Sequence, residues 1–199
     1  MTTLVVAAFS PELAPYRIDP PMPGVELAEV GIGLVAASLG AAEVLRRRPG
    51  AVVFSGTCGA YPGGPSLLDV AISSRIRLVS PLAVEGRAHL PALMSPPLDA
   101  DPSLVAALVA AGGHSCEVAT TLAITTDDAL AAAVFASGCA VEHLESYAVA
   151  AACARASIPF VAVLGVANRV GSSAHAEWKR NHEAASLRAA SVVRAALRG

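Results

Sequence analysis

The stretch from Val141 to Asn168, VEHLESYAVAAACARASIPFVAVLGVAN, constrains this chain more than any other. An Ala-rich helical run opens on Glu145 and breaks at Ser-Ile-Pro. An apolar strand, Phe160 to Val166, follows and leads to the amide Asn168. Helix and strand joined by so short a break belong to an α/β layered fold with a central, mostly parallel sheet. In open sheets of that kind, ligands bind beyond the carboxyl ends of the strands. An acid at a helix start and an amide at a strand end can therefore face one pocket. The acid suits sugar hydroxyls and the amide suits the edge of a base.

The same alternation recurs along the chain. Leu4 to Phe9 reads as a buried strand, Ser10 to Gly24 as Pro-rich and irregular, and Glu26 to Val30 as a second strand. Leu34 to Arg47 has helical periodicity and stops at Pro49-Gly50; Ala51 to Ser55 is a short apolar strand. Gly56-Thr57-Cys58-Gly59-Ala60 reads as a Gly-rich turn. Val70 to Leu78 is a strand, Leu90 to Pro102 is exposed, and Leu104 to Ala111 is a short helix. Glu117 to Thr125 reads as a strand rich in β-branched residues, Asp127 to Ser137 as a helix, and Ala174 to Leu197 as a long amphipathic helix. No repeat and no clean linker divides residues 1–199, so a single domain is expected.

Composition narrows the function classes. Apolar residues make up 54% of the 199 and charged residues 15%, which excludes disorder and suggests surface buried in an oligomer. The formal charge is −2, and the only basic cluster, Arg46-Arg47-Arg48, sits at a helix end, where cations complement the dipole. No nucleic-acid partner is expected. The longest uncharged stretch, Pro49 to Leu68, is broken by Gly and Pro and is not a membrane span. The four cysteines are scattered without a CxxC, as buried free thiols in a reducing compartment would be. The first ten residues carry no Lys or Arg, so no signal peptide is expected and the chain reads as cytoplasmic.

Several constellations bear chemistry. Gly31-Ile32-Gly33-Leu34-Val35-Ala36 fits a dinucleotide turn, but no Asp or Glu lies between Val44 and Leu68 to hold a ribose, so a nicotinamide cofactor is not expected. Glu12 follows the first strand, where a general base can stand. Glu142 and Glu145 lie three apart and would share a helix face, with His143 facing elsewhere. No third ligand completes a metal site by spacing. Trp178, the only tryptophan, reads as packing the C-terminal helix, with capping of a site as the alternative.

Together and in this order, three patches resemble the nucleoside phosphorylase and nucleosidase superfamily. They are VGIGLVAA (Val30 to Ala37), VFSGTCGAYPG (Val53 to Gly63) and Val141 to Gly171, followed by Trp178. The resemblance runs from about Leu4 to Ala189. The Gly-Ala-Tyr-Pro-Gly turn and Asn168-Arg169-Val170-Gly171 make it most similar to the futalosine hydrolase branch.

The resemblance implies a three-layer α/β/α fold with a mixed, mostly parallel twisted sheet. It implies hydrolysis of the N-glycosidic bond of futalosine with release of hypoxanthine, a step of menaquinone biosynthesis, without a cofactor or metal. It assigns Glu12 to activating water, Glu145 to the ribose hydroxyls and Asn168 to the base. Thr57, Cys58, Gly59, Leu144 and Phe160 would line the substrate. Leu164 and Ala167 stand where relatives usually carry Arg and Ser, and Ser146-Tyr147 replaces a Gly-Ala pair. The partner it implies is a small purine nucleoside, with a homodimer whose second copy helps close the pocket.

Overall fold

Apolar strands buried on both faces divide their side chains along the pleat, and the core of this protein divides the same way. The computed structural model describes residues 2–17 and 21–198; Ile18 to Pro20, within the stretch expected to be irregular, lie outside them. In chain order the elements are β1 (Thr3–Ala7), α1 (Ser10–Leu13), β2 (Val25–Glu29), α2 (Leu34–Val44), β3 (Ala51–Ala60) and β4 (Val70–Leu78). Then come α3 (Pro81–Val84), β5 (Leu98–Asp99), α4 (Pro102–Ala110), β6 (His114–Thr120) and α5 (Asp128–Ala136). The chain ends with β7 (Val141–His143), α6 (Ser146–Ala156), β8 (Phe160–Arg169) and α7 (Ala174–Ala196).

Leu4, Val6, Val52, Phe54, Ala162 and Leu164 pack beneath α2 and α6. Their sequence neighbours Val5, Val53, Val161 and Val163 pack beneath α4 and α7. The period of two in a strand is what sends successive residues into different layers. Each fully buried Val or Leu contributes about 1.5–3 kcal/mol from removal of apolar surface from water.

The sheet runs β2–β1–β3–β7–β6–β4–β5, with β8 set against both β3 and β4. β3 and β8 are parallel from Val52↔Phe160 to Ala60↔Arg169, and β8 is antiparallel to β4. β6 is parallel to β4 and to β7, and β7 is antiparallel to β3 at Gly59↔Glu142. The strands β3, β8, β4, β6 and β7 therefore close on themselves, and β1 and β2 extend from β3. This is the expected mixed, mostly parallel α/β architecture, with a closure that a linear reading of strands does not reveal.

Three expected elements shift. Gly56 to Ala60 is not a turn; it continues β3 to the closure. The glycine at 59 makes room there: a Cβ on Gly59 would stand 2.8 Å from Nδ2 of Asn168 on the adjoining strand. The strand expected over Glu117 to Thr125 lies at His114–Thr120 instead, because its pairing with β4 starts at Ala71↔His114. Glu142 lies on β7 and Glu145 at the start of α6, so the two do not share a helix face.

Candidate active site

The first acid of the site is placed by two turns of chain just past β1. Pro11 enters α1 at its start, and a 3-10 turn, Ala14–Tyr16, follows. The buried hydroxyl of Tyr16 donates to Ser55 Oγ on β3 at 2.6 Å, and Arg194 of α7 donates to the Pro15 carbonyl at 3.1 Å. These contacts pin the segment against the sheet. Glu12 is turned inward and is only 5% exposed.

On Glu12, Oε1 accepts from the backbone N–H of Thr57 at 2.9 Å and from its hydroxyl at 3.1 Å. Oε2 is buried and has no hydrogen-bond partner. Burial pushes the Glu12 carboxyl up from 4.5 to about 7; the Thr57 bonds oppose that rise and the negative charge of Glu145 adds to it. A carboxyl tuned to that range, with one oxygen unengaged, is suited to taking a proton at neutral pH.

β7 brings the second acid. Because it runs antiparallel to β3 at Gly59↔Glu142, the chain beyond Glu142 heads back along β3 toward Thr57. Glu145 then opens α6, buried to 4% exposure. Its Oε1 accepts from Gly33 N–H at 2.7 Å, and its Oε2 lies 3.2 Å from His143 Nε2. Gly33 caps the start of α2 at φ +82, a conformation open to glycine, and so its N–H points at the acid.

A cleft of about 380 Å³ opens onto Glu12 and Thr57. Phe9, Pro15, Trp178, His182 and Ser186 are among its walls. The Trp178 indole N–H donates to Thr57 Oγ1 at 3.3 Å, and its ring stacks on His182 at 4.3 Å. Trp178 thus borders the site, the alternative to the simple helix packing expected of it.

Asn168 sits one residue before the end of β8, 8% exposed, and donates from Nδ2 to the Arg169 carbonyl at 2.9 Å. Arg169 itself pairs with the buried Glu177. Gly59 lies directly opposite Asn168.

Other expected site residues lie elsewhere. Phe160 opens β8, nine positions of strand from Arg169 in a ten-residue element, and is buried in the core at the end remote from Asn168. The Cys58 side chain is turned into the core, its Sγ on the Leu164 carbonyl, and burial raises its thiol well above the ordinary value, so it is no nucleophile. Leu144 lies partly buried in the turn between β7 and α6. Glu142 is a brace: Tyr61 Oη donates to it at 2.8 Å, and Thr125 donates from N at 3.0 Å and from Oγ1 at 2.6 Å. Among the described residues no group of three His, Cys, Asp or Glu could hold a metal ion. His143 escaped sequence reading, since assuming a helix through Glu142 and Glu145 turns it away from both.

The phosphorylase superfamily model matches residues 23–198. No curated protein matches the sequence. Among solved structures, a 5′-methylthioadenosine/S-adenosylhomocysteine nucleosidase from Colwellia psychrerythraea, in complex with adenine, is 23% identical. Its TM-score is 0.83, covering 99% of this chain and 94% of that one. The futalosine hydrolase of Helicobacter pylori is 14% identical at a TM-score of 0.85, covering 100% and 97%. A methylthioadenosine/S-adenosylhomocysteine nucleosidase from S. pneumoniae, with a transition-state inhibitor, is 21% identical at 0.85, covering 99% and 98%.

Proposed function

Because this chain belongs to the phosphorylase superfamily, we propose that it is a purine nucleosidase that hydrolyses the N-glycosidic bond of futalosine and releases hypoxanthine, within menaquinone biosynthesis. The observation that carries the reading is Glu12: buried, held on one oxygen by Thr57, and unengaged on the other beside an open cleft. Ionised Glu12 takes a proton from a water as that water adds to C1′. Glu145 accepts from the ribose hydroxyls and offsets the positive charge that builds on the sugar as the bond breaks. Asn168 holds the departing purine anion by hydrogen bonds, and the proton that Glu12 took returns through solvent to that anion; an amide can donate and accept at a 6-oxopurine edge but cannot act as an acid.

Hydrolysis is favoured over phosphorolysis by the charges. Phosphate needs cationic donors. Arg169, next to Asn168, is committed to the buried Glu177, and Arg17 and Arg87 are surface groups paired with Glu29 at 4.0 Å and Glu85 at 3.2 Å. The deciding assay is hypoxanthine release from futalosine with and without phosphate. Release independent of phosphate supports the reading; strict phosphate dependence overturns it.

A second reading is a sibling enzyme that releases adenine from methylthioadenosine or aminodeoxyfutalosine. It is favoured by the likeness to the adenine-bound Colwellia nucleosidase. Adenine in place of hypoxanthine among the products selects it. We further read the working unit as a homodimer. Ile32, Val35 and Leu39 form an exposed apolar ridge on and before α2, beside the Gly33 that holds Glu145.

A further inference from the structure

An acid at the N-terminal boundary of a helix ordinarily folds back onto the first free N–H groups of that helix. Glu145 occupies this position in α6, yet its side chain caps nothing. Its neighbour two residues upstream does so instead. His143 Nδ1 accepts from Ser146 N–H at 3.1 Å and lies 3.4 Å from Glu145 N–H. Ser146 Oγ stands 2.7 Å from the same nitrogen.

A backbone N–H can only donate, so Nδ1 must carry the lone pair. The ring is 5% exposed, and the edge-on Phe54 ring lies 4.9 Å from it. Burial holds the imidazole below its ordinary pKa against the opposing pull of Glu145, so it carries a single proton. That proton is on Nε2, 3.2 Å from Glu145 Oε2.

We propose that His143 is the positioning residue of the ribose clamp: locked by Ser146 as the Nε2-protonated tautomer, it caps α6 in place of Glu145 and fixes the Glu145 carboxylate toward the ribose hydroxyls. The proposal rests on the reading of Glu145 as the ribose acceptor. It gives a physical reason for Ser146: a glycine there would leave the histidine only backbone N–H groups, without the hydroxyl at 2.7 Å. The opposite oxygen of the same acid is set by Gly33, so the carboxylate is held from both sides and only its remaining lone pairs face substrate.

The test compares the whole protein with His143→Leu, His143→Gln and Ser146→Ala, using inosine and 2′-deoxyinosine as calorimetric probes. Wild-type protein should prefer inosine by about tenfold or more, as a site built to bond a hydroxyl does. His143→Leu should shrink that preference to about threefold or less, and His143→Gln, which keeps a donor, should restore most of it. Equal weakening of both ligands by His143→Leu, with the ratio intact, is what a merely structural histidine gives and overturns the proposal.

Should the His143 substitutions unfold the protein, Ser146→Ala, which keeps the backbone N–H and loses only the hydroxyl, is read by ¹⁵N-histidine NMR beside the same ratio: a ring still Nε2-protonated, or a reduced ratio, supports the proposal, and an Nδ1-protonated ring with the ratio intact overturns it. A wild-type protein indifferent to the 2′-hydroxyl removes Glu145 as the clamp, and the functional reading with it. The imidazole is then judged alone by ¹⁵N-histidine NMR at neutral pH. An Nε2-protonated ring whose signal moves in Glu145→Gln upholds the His143 part, and an Nδ1-protonated ring overturns it.

Discussion

Thr57 donates both its backbone N–H and its hydroxyl to a single oxygen of Glu12, at 2.9 and 3.1 Å, and leaves the other oxygen buried without a partner. This asymmetry divides the carboxylate into a held half and a reactive half. If the reactive half is the base, Glu12→Gln, nearly isosteric, should lower base release by about 10²–10⁴-fold while the fold survives. Steady-state hypoxanthine release, with circular dichroism as the control on folding, checks it. Retention of wild-type turnover removes Glu12 from the mechanism.

The pH profile follows from the same group. Glu12 must be ionised to accept a proton, and burial moves its ionisation up to about 7. kcat/KM should therefore rise with pH through about 7 and level off above it. Thr57→Ala removes the hydroxyl bond, the strongest of those that oppose the rise, so its acid limb should move to higher pH. An acid limb near the ordinary carboxylate value would contradict the placement of Glu12.

Stability should run the other way. The folded state binds the Glu12 proton more tightly than the unfolded chain does. Between the ordinary 4.5 and about 7, unfolding therefore releases a proton. The extra stability is fully present below the lower value and is lost as pH rises through the upper one, by about 3 kcal/mol in all. Glu12→Gln, which has no charge to bury, should raise Tm relative to wild type at pH 8 and lose that advantage at pH 4. Thermal melts of both proteins at the two pH values measure the difference.

How much of this was legible in the chain depends on the range of the signal. Local pattern sufficed for β1, β8 and α7, and for the placing of Glu12 after a strand and Glu145 at a helix start, because apolar runs and helix starts are written in neighbouring residues. Long-range pairing was not legible. Gly56 to Ala60 looks like a turn until β8 and β7 are seen to flank it, since glycine signals a turn in isolation and a close approach in a sheet. Phe160 was placed beside the substrate by resemblance, while the register Val52↔Phe160 sets it at the far end of the strand. Trp178 lies far from Thr57 in sequence, and only the docking of α7 on β3 and β8 brings its indole to that hydroxyl.

Trp178 is the only tryptophan in the chain, and it borders the cleft in hydrogen-bond contact with Thr57. Intrinsic fluorescence is therefore a direct report on this site. Binding of hypoxanthine or of a nucleoside should change the emission in a saturable way, and Glu145→Gln should weaken the nucleoside titration more than that of the free base. Emission blind to saturating ligand would place the ligand away from Thr57.

The ridge of Ile32, Val35 and Leu39 is 65%, 70% and 71% exposed. A contiguous apolar surface of this kind is costly in water unless a partner covers it. Leu39→Glu should turn a dimer into a monomer in sedimentation experiments, and should lower activity with it, because α2 begins at the Gly33 that holds Glu145. A wild-type protein that sediments as a monomer at micromolar concentration refutes the dimer.

Asn168 tests the identity of the base. Its amide stands opposite Gly59, with one N–H committed to the Arg169 carbonyl. With its remaining N–H the amide can donate to N7 or O6 of a 6-oxopurine, whereas a carboxyl can instead protonate the N7 of an adenine as it leaves. Asn168→Asp keeps the size of the side chain, supplies the acid and gives up the N–H donated to the Arg169 carbonyl. The substitution should lower hypoxanthine release and raise adenine release from matched ribonucleosides, moving the ratio of the two kcat/KM values toward adenine by about tenfold or more, the scale set by one hydrogen bond to a charged group. Chromatography of the released bases gives the ratio. If both activities fall together, the side chain at 168 supports the strand end without reading the base, and the preference for a 6-oxopurine must be sought in other contacts.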